Sequence, residues 1–228
     1  MKSDAKSTIE TGKAILGIEL GSTRIKAVLI DQENKPIAQG NHTWENQLVD
    51  GLWTYSIEAI WSGLQDCYAD LRSNVKNLYG IEIENLAAIG VSAMMHGYMP
   101  FNAKEEILVP FRTWRNTNTG RAAAALSDLF VYNIPLRWSI SHLYQAILDN
   151  EAHVKDIDFL TTLAGYVHWQ LTGEKVLGIG DASGMLPIDP TTHNYSAEMV
   201  AKFDKLIAPN RYSWTLQDIL PKVLSAGE

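Results

Sequence analysis

The stretch that most constrains this chain is residues 14 to 31, AILGIELGSTRIKAVLID. Ile15, Leu16, Ile18 and Leu20 predict one short apolar strand, and Ile25, Ala27, Val28, Leu29 and Ile30 predict a second. Only Gly21, Ser22, Thr23 and Arg24 separate them, so the two strands read as a hairpin. Glycine lets the backbone turn tightly, and hydroxyls with exposed N–H groups can cradle a phosphate. Glu19 stands at the mouth of the turn and Lys26 follows it. An acid, a glycine, two hydroxyls and a base gathered at one turn suit a metal–nucleotide site.

A polar turn at residues 32–35 leads to a third strand over 36–43, so the chain opens as a meander. Neither the GxxxxGK[ST] nor the GxGxxG pattern occurs, and a phosphate turn here is of the hairpin kind. Residues 44–53 read as loop. Ser56 is a candidate N-cap for a helix from 57 to about 78. Ile57, Ile60, Trp61, Leu64, Tyr68, Leu71 and Val75 recur along it at helical spacing and read as core. Residues 86–92 predict a buried strand that runs into Met94-Met95-His96-Gly97. The end of a central strand is where α/β sheets place ligand residues. A short hairpin is expected over 98–110. The stretch from Phe111 to Thr119 follows, rich in hydrogen-bonding groups around Trp114. That make-up suits a sugar site, with amides and charges for hydroxyls and a ring for the apolar sugar face; it suits a surface loop equally well. Helices are expected over 120–129, 139–150, 159–171 and 196–205, a tight turn over 180–184, and a break at 208–210.

Composition narrows the classes. A hydrophobic fraction of 46% with 20% charged residues supports a buried core. A formal charge of −7, with Lys and Arg scattered, argues against nonspecific nucleic-acid binding. The one cysteine, Cys67, permits no intrachain disulfide and reads as a buried small apolar group in a reducing, cytoplasmic setting. No apolar run reaches membrane-spanning length, and residues 1–13 are polar and expected to be loose.

Four segments in order resemble the FGGY family of carbohydrate kinases, most nearly its xylulose-kinase-like branch. They are Gly17-Ile18-Glu19-Leu20-Gly21-Ser22-Thr23, Met95-His96-Gly97, Leu171-Thr172-Gly173-Glu174, and Asp181-Ala182-Ser183-Gly184 with Asp189 beyond. The resemblance implies an α/β ribonuclease-H-like (actin/Hsp70-type ATPase) domain, with a mixed five-stranded sheet flanked by helices. It also implies ATP and Mg²⁺ as cofactors and phosphoryl transfer to a sugar hydroxyl, with a ketopentose such as xylulose favoured. Residues 14–228 would be the N-terminal, sugar-binding domain. The general-base Asp and a C-terminal nucleotide domain are expected beyond Glu228.

By the same resemblance Glu19 replaces the usual Asp and associates with Mg²⁺ through water. Gly21, Ser22 and Thr23 hold phosphate, with Lys26 as a nearby cation. Met95, His96, Trp114 and Asn116 contact the sugar. Asn116 stands where relatives carry an acid, and Asn118 where Arg is common. Asp181 reads as a turn-holding residue, and the Lys-Leu-x-Trp signature expected near residues 143–147 is absent. Two other readings share these residues, an ATPase of the same fold without sugar transfer and a non-catalytic sugar-binding module. Neither a nucleic-acid nor a membrane partner is expected, while apolar helical faces leave a homodimer open. With its base expected elsewhere, the 228-residue chain alone should show no steady sugar-dependent ADP release in a coupled assay. Continuous turnover would overturn that expectation.

Overall fold

The structure is a computed structural model and describes residues 2–227. Its elements begin with α1 (Lys2–Glu10), β1 (Ile15–Leu20), β2 (Arg24–Ile30), β3 (Pro36–Thr43), β4 (Gln47–Val49), β5 (Leu52–Thr54) and α2 (Ile57–Tyr79). Next come β6 (Ala88–Ala93), β7 (Met99–Phe101), α3 (Gly120–Phe130), α4 (Ser139–Leu148), β8 (Phe159–Thr161) and α5 (Leu163–Thr172). The chain continues through β9 (Val176–Gly178), α6 (Ile179–Ala182), β10 (Ile188–Asp189), β11 (Asn194–Tyr195), α7 (Ala197–Ile207), α8 (Leu216–Ile219) and β12 (Lys222–Leu224). These form two compact units, one of residues up to 47 with 55–94, the other of 48–54 with 95 onward.

The first unit is a four-stranded sheet in the order β3-β2-β1-β6, with β1 parallel to β6 and the other pairs antiparallel. Alternation along β2 turns Ile25, Ala27 and Leu29 to one buried face and leaves Arg24 and Lys26 exposed. Helix α2 covers β2 and β3 with the stripe Ile60, Leu64, Cys67, Leu71 and Val75. Its ends follow local chemistry. The Ser56 hydroxyl accepts the Ala59 N–H at 3.1 Å, and Gly80 closes the helix at φ 72° in the left-handed region. Burial pushes the Cys67 thiol up to about 11, which keeps it protonated at neutral pH.

Two expectations change here. The N-terminus is helical, because Ala5 and Ile9 share one face and are buried at 7% and 2% exposure. The strand expected over 86–92 is not buried. Among the described residues β6 pairs only with β1, which makes it an edge strand, and Ile89 is 53% exposed. Among the described residues the sheet therefore has four strands, where the resemblance implied five.

The second unit packs α3, α4, α7 and α8 around one apolar core that includes Leu126, Leu143, Leu160, Phe203 and Leu216, while α5 sets Tyr166 and Trp169 against Phe101. Small two-stranded pairings tie its loops together, β7 with β8 antiparallel and β9 with β12 parallel. The helix expected from 159 begins later. The Thr162 hydroxyl accepts the Gly165 N–H and caps α5, which frees Phe159–Thr161 to pair with β7. The stretch read as loop over 44–53 holds the β4–β5 pair. Pro221 ends α8, and the chain then extends as β12. The break expected at 208–210 is a 3₁₀ turn inside the second unit.

Gly40 is where α2 meets β3. A Cβ there would stand 2.3 Å from the Cys67 carbonyl and 2.5 Å from the Leu71 amide. Both neighbours are helix backbone, so neither can yield cheaply. Gly40→Ala should destabilise the protein by about 2 kcal/mol or more, read as a drop in urea midpoint. An unchanged midpoint would show that α2 can lift from the sheet.

Candidate functional site

Within the first unit the turn at residues 21–23 is fastened through its carbonyls. Gly21 N–H donates to the Arg24 carbonyl at 3.0 Å, which closes the turn. Trp44 Nε1 donates to the Gly21 carbonyl at 2.7 Å, the Tyr55 hydroxyl to the Ser22 carbonyl at 2.5 Å, and the Trp44 amide to the Thr23 carbonyl at 3.3 Å. The Trp44 and Tyr55 rings stack with centroids 4.1 Å apart. With the carbonyls occupied, the N–H groups and hydroxyls of Ser22 and Thr23 are the turn's remaining hydrogen-bonding capacity. A run of such donors is an anion-binding feature. Composition pointed to Gly21, Ser22 and Thr23; it gave no sign of Trp44 and Tyr55, which lie 23 and 33 residues from their partners.

Glu19 and Lys26 stand directly opposite in the β1–β2 register, with Lys26 Nζ 3.5 Å from Glu19 Oε2. Both are about half exposed, so the pair adds roughly 0–1 kcal/mol to stability and stays available to a ligand. They border a shallow trough of about 440 Å³ on the open sheet face, floored by Gly17 and Gly90. Among the described residues no group of three His, Cys, Asp or Glu side chains gathers as a metal cage.

In the second unit Met95-His96-Gly97 forms a tight turn with His96 at φ 68° and Gly97 at φ 97°. A histidine in the left-handed region is held there only by firm surroundings. They are evident. Gly97 N–H donates to the Arg137 carbonyl at 3.4 Å, and the Ser139 hydroxyl donates to the Gly97 carbonyl at 2.6 Å. The His96 ring lies against Gly184, its Nδ1 3.4 Å from the Gly184 carbonyl, and stacks on Trp138 at 6.5 Å. A carbonyl only accepts, so this contact puts the proton on Nδ1 and leaves the Nε2 lone pair for a hydroxyl. Burial lowers the His96 pKa despite the Gly184 contact, and the Arg137 charge adds to the lowering; the ring is neutral at physiological pH.

This contact explains Gly184. A Cβ there would fall 2.6 Å from His96 Nδ1. Two of the sequence segments, 88 residues apart, are thus one packed unit. Asp181 is held within it by the Thr162 hydroxyl, and burial raises its pKa. Met95 is 46% exposed and Trp114 is half-buried.

Asn116 departs from its expected sugar contact. It is 4% exposed, its Oδ1 accepts the Trp53 N–H at 2.9 Å, and its Nδ2 donates to the Trp53 and Thr113 carbonyls at 2.8 and 3.0 Å. The amide supplies donors that a carboxylate lacks; one clamps β5 at Trp53 and the other closes back on Thr113. Arg115 beside it rests over the Trp53 ring at 3.6 Å.

Behind the turn runs a buried polar chain. Arg112 pairs with Glu151, His153 Nδ1 faces Glu151 at 3.4 Å, and the Tyr98 hydroxyl meets His153 Nε2 at 2.8 Å. His142 lies beside Tyr98, and neither of its buried ring nitrogens has a partner. Burial, with Arg112 and His96 nearby, lowers its pKa to about 3. The unfolded chain therefore binds a proton below about 6.5 that the folded chain refuses. The stability from neutral His142 is full above that pH and is lost as pH falls toward 3. Between pH 7.5 and 5.0 the loss from this residue should be about 2 kcal/mol. Urea midpoints at those two pH values should fall less for His142→Leu than for the parent; equal falls would remove His142 from the acid response.

The description "FGGY family of carbohydrate kinases, N-terminal domain" matches residues 14–228. Xylulose kinase of Klebsiella pneumoniae is 20% identical over 197 residues, which cover 83% of this chain and 40% of that protein. Among solved structures, a ligand-bound xylulose kinase from Lactobacillus acidophilus superposes with a TM-score of 0.75 at 19% identity, over 93% of this chain and 42% of that one. A structure described as gluconate kinase from the same organism gives the same TM-score, identity and shares. The fold is therefore that of FGGY sugar kinases, in the actin/Hsp70-like class, and the chain spans about two-fifths of the relatives it matches.

Proposed function

We propose that this chain, which belongs to the FGGY family of carbohydrate kinases, contributes the phosphate turn and the acceptor turn for transfer of the γ-phosphoryl group of ATP to a sugar hydroxyl. The observation that carries this reading is the turn at residues 21–23, its carbonyls tied back by Trp44 and Tyr55 and its donors left over. Phosphoryl transfer asks little covalent work of a protein; positioning and charge neutralisation dominate. The proposed roles follow from that demand. Gly21, Ser22 and Thr23 donate to phosphate oxygens, and Lys26 adds a cation. Met95, His96 and Trp114 hold the acceptor, with the His96 Nε2 lone pair taking a hydroxyl proton in a hydrogen bond. Asn116 acts one step back by holding Trp53.

The residues present fit a nucleotide-borne Mg²⁺. Such an ion takes one or two carboxylates and otherwise waters and phosphate oxygens, and Glu19 is one half-exposed carboxylate at the turn. When bound, the ion would supply neutralisation of phosphate charge there. Asp181 is not a base for the acceptor, because its carboxylate is engaged by Thr162. A ketopentose such as xylulose is the first acceptor to try, since the curated relatives are described as xylulose kinases.

A screen of the full natural gene product tests this reading, with ATP consumption and thermal shift read across pentuloses, hexuloses and polyols. Sugar-dependent ATP consumption supports it, and no response to any acceptor removes it. In the same protein, Glu19→Gln should lower magnesium-dependent turnover by about 10-fold or more, the scale of one lost charge-assisted contact, and leave sugar affinity within about twofold. Equal loss of both would make Glu19 structural.

A further inference from the structure

The His96 ring is the inner end of a row of three rings. Trp138 stacks on it with centroids 6.5 Å apart and planes 28° from parallel, and Tyr132 lies against Trp138 at 6.5 Å and 40°. The row runs outward into solvent: His96 and Trp138 are half-buried, and Tyr132 is 48% exposed. A tyrosine that only filled the core would be covered, as Phe130 at the end of α3 is. No role above uses Tyr132.

The loop that presents the outer two rings is fastened along its length. Val131 ends α3 at φ 53°, a left-handed conformation that a β-branched residue adopts only under constraint. The Tyr132 N–H donates to the Ser127 carbonyl at 3.2 Å and the Ile134 N–H to the Ser127 hydroxyl at 2.9 Å, with Ile134 itself buried. The Pro135 carbonyl accepts the Trp138 N–H at 3.3 Å and the Ser141 hydroxyl at 2.8 Å, and the Leu136 carbonyl accepts the Thr119 hydroxyl. The backbone under Tyr132 is thus strained and held, while Tyr132 and Val131, the latter 88% exposed, stand in water. Internal packing does not explain that arrangement, and a ligand on the ring row does.

We propose that Trp138 and Tyr132 form a second saccharide subsite, and that the acceptor held at His96 carries a further sugar ring, as a disaccharide does. This rests on the reading of the His96 turn as the acceptor site. A sugar ring presents an apolar C–H face, which packs on an aromatic face through dispersion and loss of water. One monosaccharide at His96 has no use for a ring two steps away. A second ring linked to it extends along the row and covers the exposed face of Tyr132. Asn133, exposed and next in sequence, offers both a donor and an acceptor to the hydroxyls at that ring's edge.

Calorimetric titration of the full natural gene product tests this. The probes are D-xylose against β-1,4-xylobiose, D-glucose against cellobiose and maltose, and D-xylulose alone. At least one disaccharide should bind about tenfold more tightly than its monosaccharide, the scale of one added ring contact. Tyr132→Ala should narrow that ratio to about twofold and leave monosaccharide affinity within about twofold. Tyr132→Phe should keep the ratio, because it keeps the ring face. His96→Gln should weaken both members of a pair alike. An unchanged thermal midpoint checks that each variant is folded. If no disaccharide binds more tightly than its monosaccharide, if only D-xylulose binds, or if Tyr132→Ala leaves the ratio intact, the inference falls while the acceptor reading stands. Equal loss of both affinities in Tyr132→Ala also overturns it, by placing Tyr132 at the first sugar. A dimer in analytical ultracentrifugation that Tyr132→Ala dissociates, with the ratio unmoved, overturns it in favour of a contact between copies. If no probe binds, the acceptor reading fails and the inference fails with it.

Discussion

The seat of α2 on β3 at Gly40 is the contact on which the first unit depends. Helix backbone comes so close to strand backbone that only a missing side chain permits it. The consequence reaches the phosphate turn through the chain itself. Trp44 immediately follows β3, and Tyr55 immediately precedes the Ser56 cap of α2. Fixing strand against helix therefore fixes both aromatic residues, and their stacked rings set the three carbonyls of the turn. A turn whose carbonyls are committed in advance presents its donors without a reorganisation step, which is what electrostatic preorganisation requires.

The second unit relies on a different device, close packing of two strained or small-residue turns. His96 adopts a left-handed backbone because Gly97, Arg137 and Ser139 hold it there and because Gly184 leaves room for its ring. The strain is local, and the aromatic, hydrogen-bonded surroundings offset it. The same packing shields part of the His96 ring from water, keeps it neutral, and directs one nitrogen to a backbone carbonyl. The chemical availability of the other nitrogen follows from that arrangement. Behind it, the Arg112–Glu151–His153–Tyr98 chain satisfies most of its buried polar atoms internally, while His142 stays neutral by exclusion of its proton.

Much of the local structure was legible because it rests on short-range chemistry. Alternation over residues 15–30 produced the β1–β2 hairpin, and Ser56 with Gly80 marked the ends of α2. The residues of the phosphate turn were legible as a set because glycine, hydroxyls and acid lie side by side. Misreadings came where a long-range partner outweighed local pattern. Residues 159–161 look helical in sequence, yet β7 supplies a strand partner and Thr162 caps the helix later. Residues 86–92 look buried because they are apolar, yet apolar sequence says nothing about whether a second strand lies alongside. The N-terminal segment looks loose by composition, yet two apolar residues four apart are enough to anchor a helix on an existing core.

By itself the sequence determined the chemistry available to each turn: which residues could donate, accept, carry charge or bend. It also determined the family, because four spaced segments encode that chemistry in order. Only the tertiary structure decided how that capacity is spent. Asn116 closes on Trp53, Trp44 and Tyr55 clasp the phosphate turn, and His96 meets Gly184. The physical reason is that hydrogen bonds and van der Waals contact act over a few ångströms. Residues 23 to 88 positions apart come within that range only after the backbone has been packed.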